Sequence, residues 1–284
     1  MKFRGRVIEG QKLARELGAP TANLSMPQHP NIKDGVWMVR VLWDGKKYGG
    51  VMHVGARPTV DKQWALEVHL LDFSGDLLGE VLEVETVDFM REIVKFDSLA
   101  TLAKQIKQDI VLAWKFFIRE QVRLVWSETS DKERERMAKE GFEKISELSE
   151  FQDANVVYVY APDPFEVSFV QELCARFPDK IYAFPKVEGK RMKFFVSKFE
   201  DLKSGKFNIL EPLIDVPAPS ADLIIVPAVA AAKTGERLGR GGGFYDQFLC
   251  STSAPTVCVM PEFARVKDLP MEGHDVRADR VIFI

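Results

Sequence analysis

Ala221-Asp-Leu-Ile-Ile-Val-Pro227, then Gly235-Glu-Arg-Leu-Gly-Arg-Gly-Gly-Gly-Phe-Tyr-Asp-Gln-Phe-Leu249, reads as a buried strand, a glycine loop and a helix opening at Tyr245. Five glycines in nine positions (Gly235, Gly239, Gly241, Gly242 and Gly243) strip side chains from the backbone. That admits positive φ and close approach of a ligand. Amides at a helix start, flanked by Arg237 and Arg240, suit a polyphosphate. No Lys-Ser or Lys-Thr closes the run, so it is not a Walker A loop. A structural turn with glycines for packing is the plainer alternative.

Working outward, the pattern predicts strands at 155–160, 180–184, 192–196, 222–227, 256–260 and 280–284, with a helix at 165–176. Strands interleaved with helices imply a three-layer α/β domain, its mostly parallel sheet covered on both faces. Upstream the character changes. Gly35 to Trp43, the Asp44-Gly45 turn and Lys47 to Val54 read as a hairpin, and Leu66 to Phe73 and Leu78 to Val87 add strands about a Gly75-Asp76 turn. Strands in succession without helices favour a small antiparallel barrel. Between the two patterns, Asp97 is expected to cap a long helix with apolar residues at three- or four-residue steps from Leu99 to Val125. Ser130-Asp-Lys-Glu133 reads as a capping box for a more polar helix ending near Ser149. The reading is therefore an α+β two-domain chain, residues 1–114 and 115–284, with the boundary inside the long helix. No Gly/Ser or Pro linker separates the domains, which are expected to share that helix.

Composition narrows the function classes. Of 284 residues, 46% are apolar and 29% charged, and the net charge is −3. Residues 1–124 carry 18 Lys/Arg against 16 Asp/Glu, and the remainder 21 against 26. Neither half has the basic excess that phosphate-backbone binding demands, so nucleic acid is not an expected partner. Cys174, Cys250 and Cys258 have no metal-type spacing and read as buried thiols in a reducing compartment. Met-Lys-Phe-Arg-Gly-Arg is followed by no apolar run, and no segment reaches membrane-spanning length. The expectation is a cytoplasmic protein with no membrane partner.

Near the start, Thr21 and Asn23 lie two residues apart on an extended segment and point the same way. Both offer hard oxygens that Mg²⁺ accepts beside phosphate, although Asn23 bonding its own backbone in a turn would explain the pair as well. Glu67 falls on the strand face opposite Val68, with Leu70 counted on its own side. A carboxylate beside aliphatic neighbours is a candidate base; a surface glutamate is the commoner case.

Four pieces carry a resemblance in order and spacing: Arg15-Glu-Leu-Gly-Ala-Pro-Thr-Ala-Asn-Leu24, Val54-Gly-Ala-Arg-Pro-Thr59, Leu66-Glu-Val-His-Leu-Leu-Asp-Phe-Ser-Gly-Asp76 and Met90-Arg-Glu-Ile-Val-Lys-Phe96. By them the N-terminal domain resembles riboflavin kinase. The resemblance implies a six-stranded antiparallel β-barrel that moves the ATP γ-phosphoryl to the ribityl 5′-hydroxyl of riboflavin, giving FMN. It implies Mg²⁺ on Thr21 and Asn23, Glu67 as general base, ATP against Gly10, Lys12, Arg15 and Gly18, and Arg91 at the flavin. Such a transfer needs positioning and charge neutralisation more than covalent chemistry. The chain departs from the family pattern at Ala14, Ala19 and His53, where Gly, an aromatic and Asn are usual.

The rest of the chain resembles 5-formyltetrahydrofolate cyclo-ligase, or methenyltetrahydrofolate synthetase. The matches run through Lys115-Phe-Phe-Ile-Arg119, Glu166-Val-Ser168, Met192-Lys-Phe194, Ile209-Leu-Glu-Pro212, Arg237-Leu-Gly-Arg-Gly-Gly-Gly-Phe-Tyr-Asp246 and His274-Asp275. The implied reaction phosphorylates the formyl oxygen with ATP, closes the ring through the neighbouring nitrogen and releases phosphate. By the resemblance Lys115, Arg119 and the loop Arg237, Leu238, Gly239, Arg240, Gly241, Gly242, Gly243, Phe244 and Tyr245 bind ATP. Asp246 then lies beside the metal, and Glu166 and Met192 meet the folate. Asp163-Pro-Phe-Glu166 also reads as a plain capping box. Ala231-Ala232 and Phe169 replace the family's Phe-Asp and Thr. The leading expectation is a bifunctional ATP-dependent enzyme acting on riboflavin and 5-formyltetrahydrofolate. A chain with one active domain, or a flavin- or folate-binding protein with degenerate phosphate sites, stays open beside it.

Overall fold

The computed structural model describes residues 1–10, 19–26, 31–59, 64–205 and 209–284. Lys12, Arg15 and Gly18, with the departure at Ala14, lie outside the described residues. The chain divides into two compact units, Met1–Phe117 and Ile118–Ile284.

The first unit is built on β1 (Lys2–Ile8), β2 (Ala22–Ser25), β3 (Gly35–Trp43), β4 (Lys46–Ala56), β5 (Trp64–Leu70) and β6 (Val81–Arg91). They close into an antiparallel barrel in the order β1-β2-β5-β4-β3-β6. The β3–β4 hairpin turns on Asp44 and Gly45, at φ 47° and 70°. Two positive φ values make it a primed turn, whose twist matches the strands. Alternation sends Val39, Val41, Met52, Val54, Leu66, Val68, Leu82 and Val84 into the interior. Leu70 belongs to that interior set with Val68. The expectation that it shares Glu67's face is therefore corrected; strand parity pairs Glu67 with His69 instead.

α1 (Leu99–Glu128) contains the division between the units. Its cap is Ser98, not Asp97: Thr101 N–H donates to Ser98 Oγ at 3.2 Å and Ser98 N–H returns to Thr101 Oγ1 at 3.2 Å. The reciprocal Ser/Thr pair satisfies two orphan donors, which a lone aspartate one residue earlier does not. Trp114 Nε1 donates to Asp72 Oδ2 at 3.1 Å, and the Phe117 ring fills the space a Cβ at Gly49 would need. Both contacts seat this part of α1 on the barrel.

The second unit continues with α2 (Asp131–Ser146), α3 (Ser149–Asp153), β7 (Val156–Tyr158), α4 (Val170–Arg176), β8 (Ile181–Glu188), β9 (Arg191–Val196), β10 (Lys203–Ser204), β11 (Leu210–Glu211) and β12 (Leu223–Ile225). β13 (Ala230–Ala232), β14 (Arg237–Leu238), α5 (Phe244–Leu249), β15 (Thr256–Met260), β16 (Arg265–Val266) and β17 (Arg280–Phe283) complete it. The main sheet runs β17-β15-β12-β7-β8-β9, parallel except for the β8–β9 hairpin. β14-β13-β16 forms a small second sheet that carries Arg237. Ser130 accepts Glu133 N–H at 3.3 Å and starts α2.

The helix expected from 165 begins only at Val170. Asp163 and Glu166 do form capping-box bonds, with Phe165 N–H to Asp163 Oδ1 at 2.8 Å and Asp163 N–H to Glu166 Oε2 at 3.1 Å. They close a turn, and α4 starts only four residues after Glu166; Val167 and Phe169, in between, are buried in the core. Cys258 is buried, but Cys250 is exposed, so the expectation of three buried thiols is corrected. No helix among the described residues is long and apolar enough to cross a membrane.

Candidate active sites

Ladder register assembles the first site. Asn23 on β2 lies opposite Glu67 on β5, and Glu67 lies opposite His53 on β4. His53 lies opposite Val36 on β3, which in turn faces Arg91 on β6. Directly opposed residues of antiparallel strands project on the same side. Since Leu66 and Val68 point inward, this whole row points outward. Glycine at position 10 is required sterically: a Cβ there would lie within the Asn23 amide. His69 Nδ1 donates to the Pro20 carbonyl at 2.8 Å, pinning the backbone just before Thr21.

Two depressions meet on this face. The first is largely apolar, walled by Val36, Val94, Phe96, Leu102 and Ile106, with Glu67 and His53 in its polar margin. The second is more polar and runs past Glu9, Gly10, Asn23 and Asp76. Thr21 lines both. Ala19, where an aromatic was the family habit, is buried and contributes to the apolar one.

Charge on this face is organised by arginines. Arg57 donates to Glu67 Oε1 at 2.9 Å, both side chains being largely buried. Arg91 grips Asp109 of α1 with Nη2 at 2.7 Å and Nε at 3.1 Å to each oxygen, and Gln105 adds a bond at 2.9 Å. Arg91, expected at the flavin, is thus the tie between β6 and α1 as well as part of the wall. Thr59 Oγ1 accepts Phe96 N–H at 3.0 Å and joins the two loops of the rim.

The second site gathers at the glycine loop. Gly241 and Gly243 adopt φ values of 100° and 66°, which a side chain would strain. Arg237 is buried and donates through Nη2 to Asp246 Oδ1 at 2.8 Å; the same oxygen accepts Val276 N–H at 3.1 Å. Asp246, expected beside a metal, is thereby the anchor of Arg237. Arg237 Nε and the Tyr245 hydroxyl are buried with no hydrogen-bond partner among the described residues. Both belong to residues lining a cavity with Glu166, Met192 and Gly242. Burial pushes the Tyr245 phenol well up, so it stays a neutral donor.

Arg240 reaches across the same cavity to pair with Asp163 and, at 2.9 Å, with Glu166. Burial raises the Glu166 carboxyl to about 7 against the pull of Arg240. Arg119 Nε donates to the Gly239 carbonyl at 2.8 Å and braces the loop; burial lowers its pKa from the usual range. Lys115 lies buried on α1 within the first unit. Ala231 and Ala232 are wholly buried on β13, Ala231 in register with Arg237. His274 and Asp275, 3.6 Å apart, sit in an exposed turn with Glu272.

Three contributors were not singled out as site residues from the sequence. Arg57 was quoted only within a matching stretch, and nothing in the spacing says that it clamps Glu67. Glu211 is a buried carboxylate of the second cavity, held near Val187 N–H at 3.4 Å. An acidic residue in an apolar Ile-Leu-Glu-Pro run was the signal available. Asp109 shows as a lone acid among the apolar positions of α1.

Each unit thus presents a cleft rich in hydrogen-bond donors beside an apolar wall, the arrangement of a small-molecule enzyme. The chain belongs to the 5-formyltetrahydrofolate cyclo-ligase family, which it matches over residues 111–283. Residues 1–117 match the riboflavin kinase family. Both families are enzymes that use ATP, typically with a divalent metal. The chain is 45% identical over 114 residues to the bifunctional riboflavin kinase/FMN adenylyltransferase of Pseudomonas fluorescens, covering 39% of this chain and 37% of that protein. It is 28% identical over 223 residues to the trifunctional protein RibF/MnmA of Mycoplasmoides gallisepticum, 72% of this chain and 34% of that one. Little more than a third of each of these relatives is therefore spanned. The NMR structure of Aquifex aeolicus 5,10-methenyltetrahydrofolate synthetase superposes with a TM-score of 0.54 at 28% identity, over 60% of this chain and 89% of that one.

Proposed function

We propose that the chain is a bifunctional ATP-dependent enzyme, phosphorylating riboflavin to FMN in its first unit and cyclising 5-formyltetrahydrofolate to 5,10-methenyltetrahydrofolate in its second. One observation carries the first activity. Thr21 borders both depressions, so a flavin in the apolar one and a triphosphate in the polar one would meet beside Thr21, Asn23 and Glu67. In this reading Glu67 takes the proton of the ribityl 5′-hydroxyl as its oxygen bonds the γ-phosphorus and ADP leaves. Arg57 holds the carboxylate in orientation. The Thr21 hydroxyl and the Asn23 amide oxygen are a hard-oxygen donor set that fits Mg²⁺ and would hold it; when bound it neutralises phosphate charge.

For the second activity, Arg237, Arg240 and the loop amides would surround the triphosphate, with Arg119 bracing the loop. The formyl oxygen attacks the γ-phosphorus and displaces ADP; the neighbouring nitrogen then closes on the activated carbon, giving up its proton, and phosphate departs. Glu166 would accept pterin N–H donors and Met192 would pack on the folate. Asp246 orients Arg237, and its other carboxylate oxygen would be a hard-oxygen donor for a divalent metal.

The test follows FMN from riboflavin and methenyl product from 5-formyltetrahydrofolate, each with Mg-ATP. Glu67→Gln should stop only the first reaction and Asp246→Asn only the second. Loss of both from either change would contradict independent sites, and two flat traces from folded wild-type protein would refute the reading.

A further inference from the structure

His53 is a polar side chain with unused hydrogen-bonding capacity in the first unit. It sits on β4 at the margin of the apolar depression, and its Nδ1 is buried with no hydrogen-bond partner among the described residues. A buried nitrogen left unsatisfied is costly unless a ligand supplies the bond. Desolvation by burial lowers the imidazole pKa, reinforced by Arg91 and Arg57, while Glu67 and a hydrogen bond to the Ala56 backbone pull the other way. The ring is therefore neutral near pH 7, with one nitrogen a donor and the other an acceptor.

Which part of a ligand it meets follows from register. His53 stands directly across the ladder from Glu67. Opposed Cα atoms of an antiparallel pair lie only about 4.5–5.5 Å apart. A ligand group touching His53 therefore lies close to the one touching Glu67. A hydroxyl both donates and accepts, so it satisfies Nδ1 whichever nitrogen carries the proton.

Resting on the riboflavin kinase reading, we propose that His53 is a substrate-positioning residue: its Nδ1 hydrogen-bonds a secondary hydroxyl of the ribityl chain and thereby aims the neighbouring 5′-hydroxyl at Glu67. The site then selects for a polyhydroxylated side chain on the flavin and not for the ring alone.

The experiment titrates the intact protein, with Mg-ADP present, against riboflavin and against lumiflavin, whose ring carries a methyl group in place of the ribityl chain. Flavin fluorescence gives both dissociation constants. His53→Ala and His53→Phe, the latter keeping an aromatic ring without its nitrogens, should each weaken riboflavin about tenfold and leave lumiflavin unchanged. His53→Asn, which can donate and accept, should recover most of the loss. Unchanged riboflavin affinity in the Ala and Phe variants overturns the proposal, as does an equal loss for lumiflavin, which would mark a packing role. Wild-type protein that binds neither flavin removes the kinase reading and this proposal with it; wild-type protein that makes FMN while His53→Phe binds riboflavin normally sinks the proposal alone.

Discussion

The two units hold their candidate residues by different means. In the barrel, Asn23, Glu67 and His53 stand side by side because three strands hydrogen-bond in one register, and a slip of one residue would turn all of them inward. In the α/β unit the equivalent work falls to a loop, where Arg237 is fixed by Asp246, Arg240 by Asp163 and Glu166, and Gly239 by Arg119. A ladder gives geometry that does not depend on ionisation. A loop held by ion pairs gives geometry that a charged ligand can exchange, since phosphate can take Arg240 from its carboxylates. The first site is therefore expected to be stiff and pH-tolerant, and the second responsive to pH and to nucleotide.

The sharpest test of that contrast removes the base. Glu67→Gln should reduce FMN formation by roughly 10²–10⁴-fold, with the cyclo-ligase rate and the melting temperature close to wild type. A comparable fall in both activities would mean that the units are not separable. Next, Arg237→Ala leaves Asp246 without its arginine in a buried setting. Denaturant unfolding should show the C-terminal unit destabilised by about 3 kcal/mol, with methenyl product lost and FMN formation retained.

The pH dependence should then divide the two sites. The folded Glu166 carboxyl titrates at about 7 against an ordinary 4.5, so the folded state binds the proton more tightly. The sign follows: stability from this group is greatest below about 4.5 and falls as pH rises from about 4.5 to about 7, by roughly 3 kcal/mol in total. Melting curves between pH 5 and 8 should show that decline in wild type and a flatter profile in Glu166→Gln; parallel profiles would contradict it. Affinity for 5-formyltetrahydrofolate should rise with pH through about 7 in wild type, as the carboxylate acceptor forms, and not in the variant. The smallest expected effect belongs to Gly10→Ala. Its Cβ would displace the Asn23 amide, so phosphoryl transfer to riboflavin should fall about tenfold while the cyclo-ligase is untouched.

How much of this was readable in advance varies by residue. The Asp44-Gly45 hairpin, the long apolar-striped helix and the alternation of strand and helix after residue 155 were all legible, because each is written in local periodicity or turn chemistry. The α4 start was not. Asp163 and Glu166 make the bonds of a helix cap, yet Val167 and Phe169 are taken into the core before the helix begins at Val170. Glu67, Asn23 and Arg237 were legible as candidates because their neighbours repeat a known pattern. Arg57, Asp109 and Glu211 were not, since each acquires meaning only from a partner or cavity that the fold brings to it.

Short-range chemistry thus settled the kinds of element, the glycine loop and the residue types able to handle phosphate, since those depend on neighbours a few positions apart. Tertiary pairing settled the rest: that Asn23, Glu67 and His53 form one row, that Arg57 clamps the proposed base, and that Asp246 serves Arg237. Strand register and ion-pair choice are properties of the closed fold, because the free energy of each contact exists only once both halves of it are buried together.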